Sequence, residues 1–247
     1  MDKALYVAMT GAAQTMRAQS ANSHNLANAS TVGFRAELVT DQPVAVPGAG
    51  FASRVNANLQ DAGWDSTGGS VTSTGRDLDV ALAGNTWLAV QAPDGSEAYT
   101  RAGDLTVTAL GQVQNGAGRV VLGEGGPLSV PPSSSVTIAG DGTVSIVPLG
   151  QSAATLATVG RLKLVEATAA QLSRGADGLM HARSGIKLQP ASGNVVRSGA
   201  LESSNVDLAE AMSNMISLAR QFELQTKVMK SVEDNATASA SLVRISQ

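Results

Sequence analysis

Two histidines, one Ser-x-x-Lys spacing, a pair of near-adjacent carboxylates and a run of glycines are the features of this 247-residue sequence whose residue types could do chemistry. His24 and His181 could ligate a metal or carry a proton, but neither has a Cys, a second His or an HExxH-like pattern beside it, so both read as surface or interface polar groups. Ser184-Gly185-Ile186-Lys187 has the spacing that lets an amine activate a hydroxyl, yet its companion motifs are absent and it falls in a turn-rich stretch. Asp77 and Asp79 flank Leu78 and could pass for paired acid and base; at the edge of an apolar run they read instead as a solvated strand start. Gly116, Gly118, Gly123, Gly125 and Gly126 do not open a helix after a strand, so they read as turns rather than a phosphate cradle. No catalytic, cofactor or metal site is expected.

Composition points the same way. The formal charge of −3 comes from 17 basic and 20 acidic residues spread along the chain, without the basic cluster that tracks phosphates, so nucleic acid is not an expected partner. There is no cysteine, and neither a disulfide framework nor a thiolate metal site is available. Aromatics make up only 3%, which does not advertise a deep pocket for a small-molecule substrate. Ala4 to Ala13 is interrupted by Thr10 and Gly11 and preceded by Asp2 beside Lys3, so it reads as the start of a helix rather than a cleaved signal.

What remains to be explained is the patterning at the two ends. Leu5, Met9, Ala12, Met16, Gln19, Ser23 and Leu26 recur at four-three spacing and predict a helical stripe. The Ser- and Asn-rich stretch 20–30 makes that helix marginal on its own, so it needs a partner. Thr31-Val32-Gly33-Phe34 reads as its stop. After Asn205 the same period returns at Ala211, Met215, Leu218, Phe222, Gln225, Met229, Val232, Ala236, Ser239 and Val243, with Asp207 as N-cap and Glu210 three residues on. Between the helices, short apolar runs alternate with the turn pairs Asp94-Gly95, Asn115-Gly116, Asp141-Gly142 and Asp177-Gly178. Candidate strands are 78–82, 87–91, 105–108, 120–122, 136–139, 144–147 and 160–165. The fold class expected is α+β: long N- and C-terminal helices paired as a coiled coil, bracketing a mostly antiparallel β domain. The expected divisions are 1–35 for the first helix and turn, 36–75 for an extended linker, 76–200 for the β domain and 201–247 for the long second helix.

Three stretches resemble a known family, the bacterial flagellar axial proteins, which include rod and hook subunits. Asn25-Leu26-Ala27-Asn28-Ala29-Ser30-Thr31-Val32-Gly33-Phe34-Arg35 is similar to the family's N-terminal signature. Gly199-Ala200-Leu201-Glu202-Ser203-Ser204-Asn205-Val206-Asp207, followed by Met212, Phe222 and Lys227-Val228, resembles the signature that opens its second helix. Leu78-Asp79-Val80-Ala81 and Asp94-Gly95 with Tyr99-Thr100-Arg101-Ala102-Gly103 look like the core of its β domain. The opening Met1-Asp2, the Trp87-Leu88-Ala89-Val90 run and the modest length are more like the family's proximal-rod members than its distal-rod or hook members.

The resemblance implies a structural subunit that leaves the cell through the flagellar type III export apparatus without a cleaved signal and joins the rod crossing the periplasm. Its partners would be copies of itself and the other proximal and distal rod subunits. The residues expected at assembly interfaces are Leu5, Met9, Met16, Asn25, Leu26, Asn28, Gly33, Phe34, Asn205, Val206, Met212, Met215, Leu218, Phe222, Met229 and Val232, with the pairs Met9/Met16 and Phe222/Met229 facing a common seam. A different axial subunit is the nearer alternative. A reading from another class, a secreted oligomeric β domain that binds carbohydrate, would require exposed aromatics on one β face, for which only Trp64, Trp87 and Tyr99 are candidates.

Overall fold

The computed structural model describes residues 2–45, 55–151 and 155–245. The chain folds as two compact units, one of Met1–Ala27, Glu37–Ala62 and Asp207–Gln247, the other of Asn28–Ala36 and Gly63–Val206.

The first unit is built on two helices, α1 (Asp2–Ala27) and α2 (Leu208–Ile245). Asp207 caps α2 as expected, its Oδ1 accepting the N–H groups of Ala209 at 2.8 Å and Glu210 at 3.1 Å. α1 ends at Ala27, six residues before Gly33. Turns fill the interval, because Asn28 and Thr31 bond each other through both backbone (3.1 Å) and side chain (3.2 Å), a local alternative to helical bonding. The helices run antiparallel: Asn22 near the end of α1 donates to the Ala211 carbonyl at 2.7 Å, and Thr15, two turns earlier, reaches Gln225 at 3.1 Å. The stretch expected as a linker contributes strands Glu37–Ala45 and Val55–Trp64, which pair with each other.

In the second unit every strand pairing is antiparallel, and no helical crossover occurs among the described residues. Its largest sheet runs in the order Leu172–Arg174, Met180–Ala182, Glu97–Thr100, Thr86–Gln91, Leu164–Glu166, Gln189–Pro190. Alternation along the central strand sends Leu88 and Val90 into one apolar cluster with Leu105, Val121 and Leu164, and Trp87 and Ala89 into another with Trp64, Tyr99, Leu172 and Met180. Both sheet faces are therefore buried. The Asp94-Gly95, Asp141-Gly142 and Asp177-Gly178 pairs each close a hairpin between neighbouring strands. The run 160–165 splits into Ala157–Arg161 in a three-stranded sheet and Leu164–Glu166 in the six-stranded one, with the buried Leu162 at the switch.

Candidate assembly surface and the junction of the chain ends

Between Leu5 and Leu26 the α1 side of the seam with α2 is made of small and polar residues. Leu5, Ala8, Ala12, Thr15, Gln19, Asn22 and Leu26 are the buried or half-buried positions of its stripe. Met9 and Met16, placed on the seam by the sequence pattern, turn away from it and are 50% and 59% exposed. The stripe alternates three and four residues from Leu5, not four and three, and near its middle the helices lie close: a Cβ on Gly11 would sit 3.2 Å from the Gln225 amide. On α2 the expected stripe of Met215, Leu218, Phe222, Met229 and Val232 is half-buried, and Ala211 is fully buried. Met212 is on the other side.

Exposed apolar residues lie outside the seam on both helices, those of α2 in a row that winds around it among exposed polar residues such as Glu210, Ser217 and Glu223. Tyr6 (64% exposed), Met9, Ala13 and Met16 follow one another along α1, and Leu208, Met212, Ile216, Leu224 and Val228 recur every four residues along α2, broken only by Arg220. Of these, only Met9, Met16 and Met212 are among the expected interface residues; exposed apolar residues outside a stripe look, in one dimension, like noise on it.

The residues of the N-terminal signature divide between the two units. Asn25 uses both halves of its amide on one residue, accepting the N–H of Glu37 at 2.8 Å and donating to its carbonyl at 2.9 Å, as only a side chain with a donor and an acceptor can. His24 faces Glu37 as well, at 3.3 Å. Asn28, Gly33, Phe34, Asn205 and Val206 all lie in the second unit.

There the three family-like stretches meet. Glu202 is a buried carboxylate between two buried guanidinium groups: Oε1 lies 2.7 Å from Nη2 of Arg35, and Oε2 accepts from Nε of Arg101 at 2.7 Å. Arg101 also donates to the carbonyls of Leu82, Gly84 and Thr86 and lies over the Trp87 ring. Burial holds the Arg35 guanidinium below its usual pKa, against the opposing pull of Glu202. Phe34 packs under the guanidinium of Arg174, 4.8 Å from its ring centroid, and Arg174 donates to the Arg35 carbonyl. Asn205 accepts the N–H of Ala36 at 2.7 Å and donates to the carbonyl of Thr67 at 3.1 Å. Arg35, Arg101 and Glu202 were not among the expected site residues. The signal that could have found them is phase: Ala200 and Glu202 share the inward face of a short strand whose middle residue, Leu201, faces the other way.

The chemical candidates scatter. His181 is bonded to Asp177 at 3.1 Å, and Ser184 and Lys187 lie exposed on a turn. Asp77 is exposed, but Asp79 is not at a solvated strand start: it is 4% exposed, closed over by its bridge to Asp104 and by Gly199, whose N–H bonds the Asp79 carbonyl. Trp64, Trp87 and Tyr99 are all at least nine-tenths buried; the two indoles meet edge to face at 5.2 Å, and the Trp87 N–H bonds the Ala167 carbonyl. A carbohydrate-binding face built on these three aromatics is thereby excluded.

Known proteins match along the whole chain. Residues 5–35 match the family model described as "Flagella basal body rod protein", residues 81–146 "Flagellar hook protein FlgE/F/G D1 domain", and residues 197–242 "Flagellar basal body rod FlgEFG protein C-terminal". The sequence is 46% identical to the flagellar basal-body rod protein FlgF of Escherichia coli K12 over 252 residues, covering 100% of both chains, and 44% identical to FlgF of Salmonella typhimurium LT2 with the same coverage. It is 29% identical to the rod protein FlgG of Bacillus subtilis 168 across 95% of this chain and 96% of the relative. Matched end to end at these identities, the chain belongs to the flagellar basal-body rod proteins.

Proposed function

We propose that the chain is a structural, non-enzymatic subunit of the proximal rod, polymerising through α1 and α2 into a hollow shaft that transmits torque and conducts exported subunits. The observation that carries this reading is the apolar surface left outside the seam: a stripe on α1 and a row winding around α2, with side chains half or more exposed, for something outside the chain. In a helical tube the contacts are heterologous, one surface of a subunit against a different surface of the next, and a two-helix element with exposed apolar residues on both helices supplies such a pair of surfaces. The helix pair itself acts as a short antiparallel coiled coil with three-four spacing. Its partners are copies of the chain and the other rod subunits. A seam whose large side chains are only half-buried also suits passage through the type III export apparatus, since such a helix pair unfolds readily and is restored when neighbours cover its outer apolar residues.

The test replaces outer apolar residues without touching the seam. In the parent bacterium, Met16→Ser combined with Ile216→Ser should leave the protein exported and, when purified, as helical as the wild type by circular dichroism. Basal bodies examined by electron microscopy should lack complete rods, and the cells should not swim. Normal rods and normal swimming with both substitutions in place would overturn the assignment of the outer apolar residues to assembly.

A further inference from the structure

The chain passes between its two units four times, after residues 27, 36, 62 and 206. On the β-unit side those crossings emerge from three segments, 28–36, 63–70 and 200–206, and two residues hold all three. Glu202 accepts the Gly33 N–H on its carbonyl at 2.8 Å, Arg35 and the Gly69 N–H on one carboxylate oxygen at 2.7 and 3.1 Å, and Arg101 of the sheet on the other. Asn205 donates its own N–H to Phe34 at 3.3 Å, accepts that of Ala36, and reaches the carbonyls of Asp65 and Thr67. Arg35 adds a bond to the Thr67 carbonyl, and the Asp65 N–H bonds Ala36 at 2.8 Å.

We propose that Glu202 and Asn205 are positioning residues that form a buckle, making the three segments open and close as one cooperative element, so that force applied to either end of the chain is shared among all the crossings. The segments are rich in Ser, Thr, Gly and Asn, and apart from Trp64, held in the cluster with Trp87, and Phe34, under Arg174, they have little apolar surface to order them. Polar bonding must join them to one another. A buried carboxylate serves because its bonds to Arg35, Gly69 and Arg101 are directional and fail together if any large part of the network is lost. The force-sharing part of the inference rests on the rod reading; the cooperative opening does not.

Amide hydrogen exchange on the full-length chain tests it, in the wild type, in Glu202→Gln and in the gentler Asn205→Ala. If the buckle is real, each substitution accelerates exchange at Gly33, Ala36, Asp65, Gly69 and Asn205 by a common factor, roughly a hundredfold for Glu202→Gln, while Ala89 and Gln91 in the central strand hold near their wild-type rates. Acceleration confined to amides that touch the replaced side chain overturns the proposal, and so does a uniform rise that includes the central strand. In cells, the Glu202→Gln chain should still build full flagella, with swimming speed falling more steeply than the wild type's as the medium is thickened. Unchanged speed in thick medium overturns force-sharing alone. Failure of the unaltered chain to restore motility to a strain lacking it would instead count against the rod reading.

Discussion

At position 33 both the backbone conformation and the neighbourhood exclude a side chain. Gly33 has φ of 66°, and a Cβ there would lie 2.4 Å from the carbonyl carbon of Arg101, the residue that anchors Glu202. Gly178 has a similar φ of 78° but open space around it. Gly178→Ala should cost about 1 kcal/mol for the left-handed backbone alone, and Gly33→Ala roughly 2 kcal/mol more, since the segment must pull away from backbone rather than from a flexible tip. Denaturant unfolding of the two variants checks this; equal losses would mean that segment 28–36 yields easily. Asp141 offers a pH test. Its carboxylate accepts the Thr143 N–H at 3.0 Å and hydroxyl at 2.7 Å, and these bonds hold it below the usual carboxylate range. A depressed folded pKa stabilises the hairpin above the ordinary value near 3.8 and loses that contribution as pH falls through the folded value. Asp141→Asn should therefore flatten the decline in melting temperature between pH 4 and pH 2; an unchanged slope would show that the turn does not couple to folding.

Among the elements, the helices and hairpins were legible from the sequence and the helix phase was not. On α2 Phe222 and Met229 of the expected stripe are half-buried. On α1 size does not mark burial: Ala8, Ala12 and Thr15 lie on the covered side, while the larger Met9 and Met16 lie outside it. The hairpins followed from their Asp-Gly pairs, which combine a side-chain acceptor with a residue free to take positive φ. Sheet order was not accessible, since the pairing of Leu164–Glu166 with Thr86–Gln91 depends on contacts about eighty residues apart. The seam assignment makes a prediction the sequence pattern would not. Ala12→Leu should disrupt the helix pair at a cost of roughly 1 to 3 kcal/mol, seen as lost helical signal at low denaturant, whereas Met16→Leu should leave that signal in place. If Met16→Leu is the more damaging in dilute monomer, the phase given for α1 is wrong.

For the molecule as a whole, the order of the units along the chain and their membership differ, and that difference can be read out by cutting. Composition suggested a β core beginning near Arg76, with everything before it as linker or helix. In the structure, segments 28–36 and 63–75 are part of the β unit, although residues 37–62 between them belong to the helical one. A protease acting on dilute protein should attack the helical unit first, because the large side chains of its seam are only half-buried and its outer apolar residues are uncovered. Cuts in α1, α2 and residues 37–62 would leave a peptide containing 28–36 with no covalent link to the rest. Its bonds to Glu202, Asn205 and Arg174 should nevertheless hold it. We predict that the resistant product elutes as one species in native size-exclusion chromatography and separates by mass spectrometry under denaturing conditions into a fragment spanning about 63–206 and a short peptide carrying Phe34 and Arg35. The same digestion of Asn205→Ala should release the peptide. Recovery of a stable fragment that begins near residue 76, with the peptide lost from the wild type, would show that the N-terminal signature is tethered only by its covalent neighbours and that the β unit ends where composition suggested.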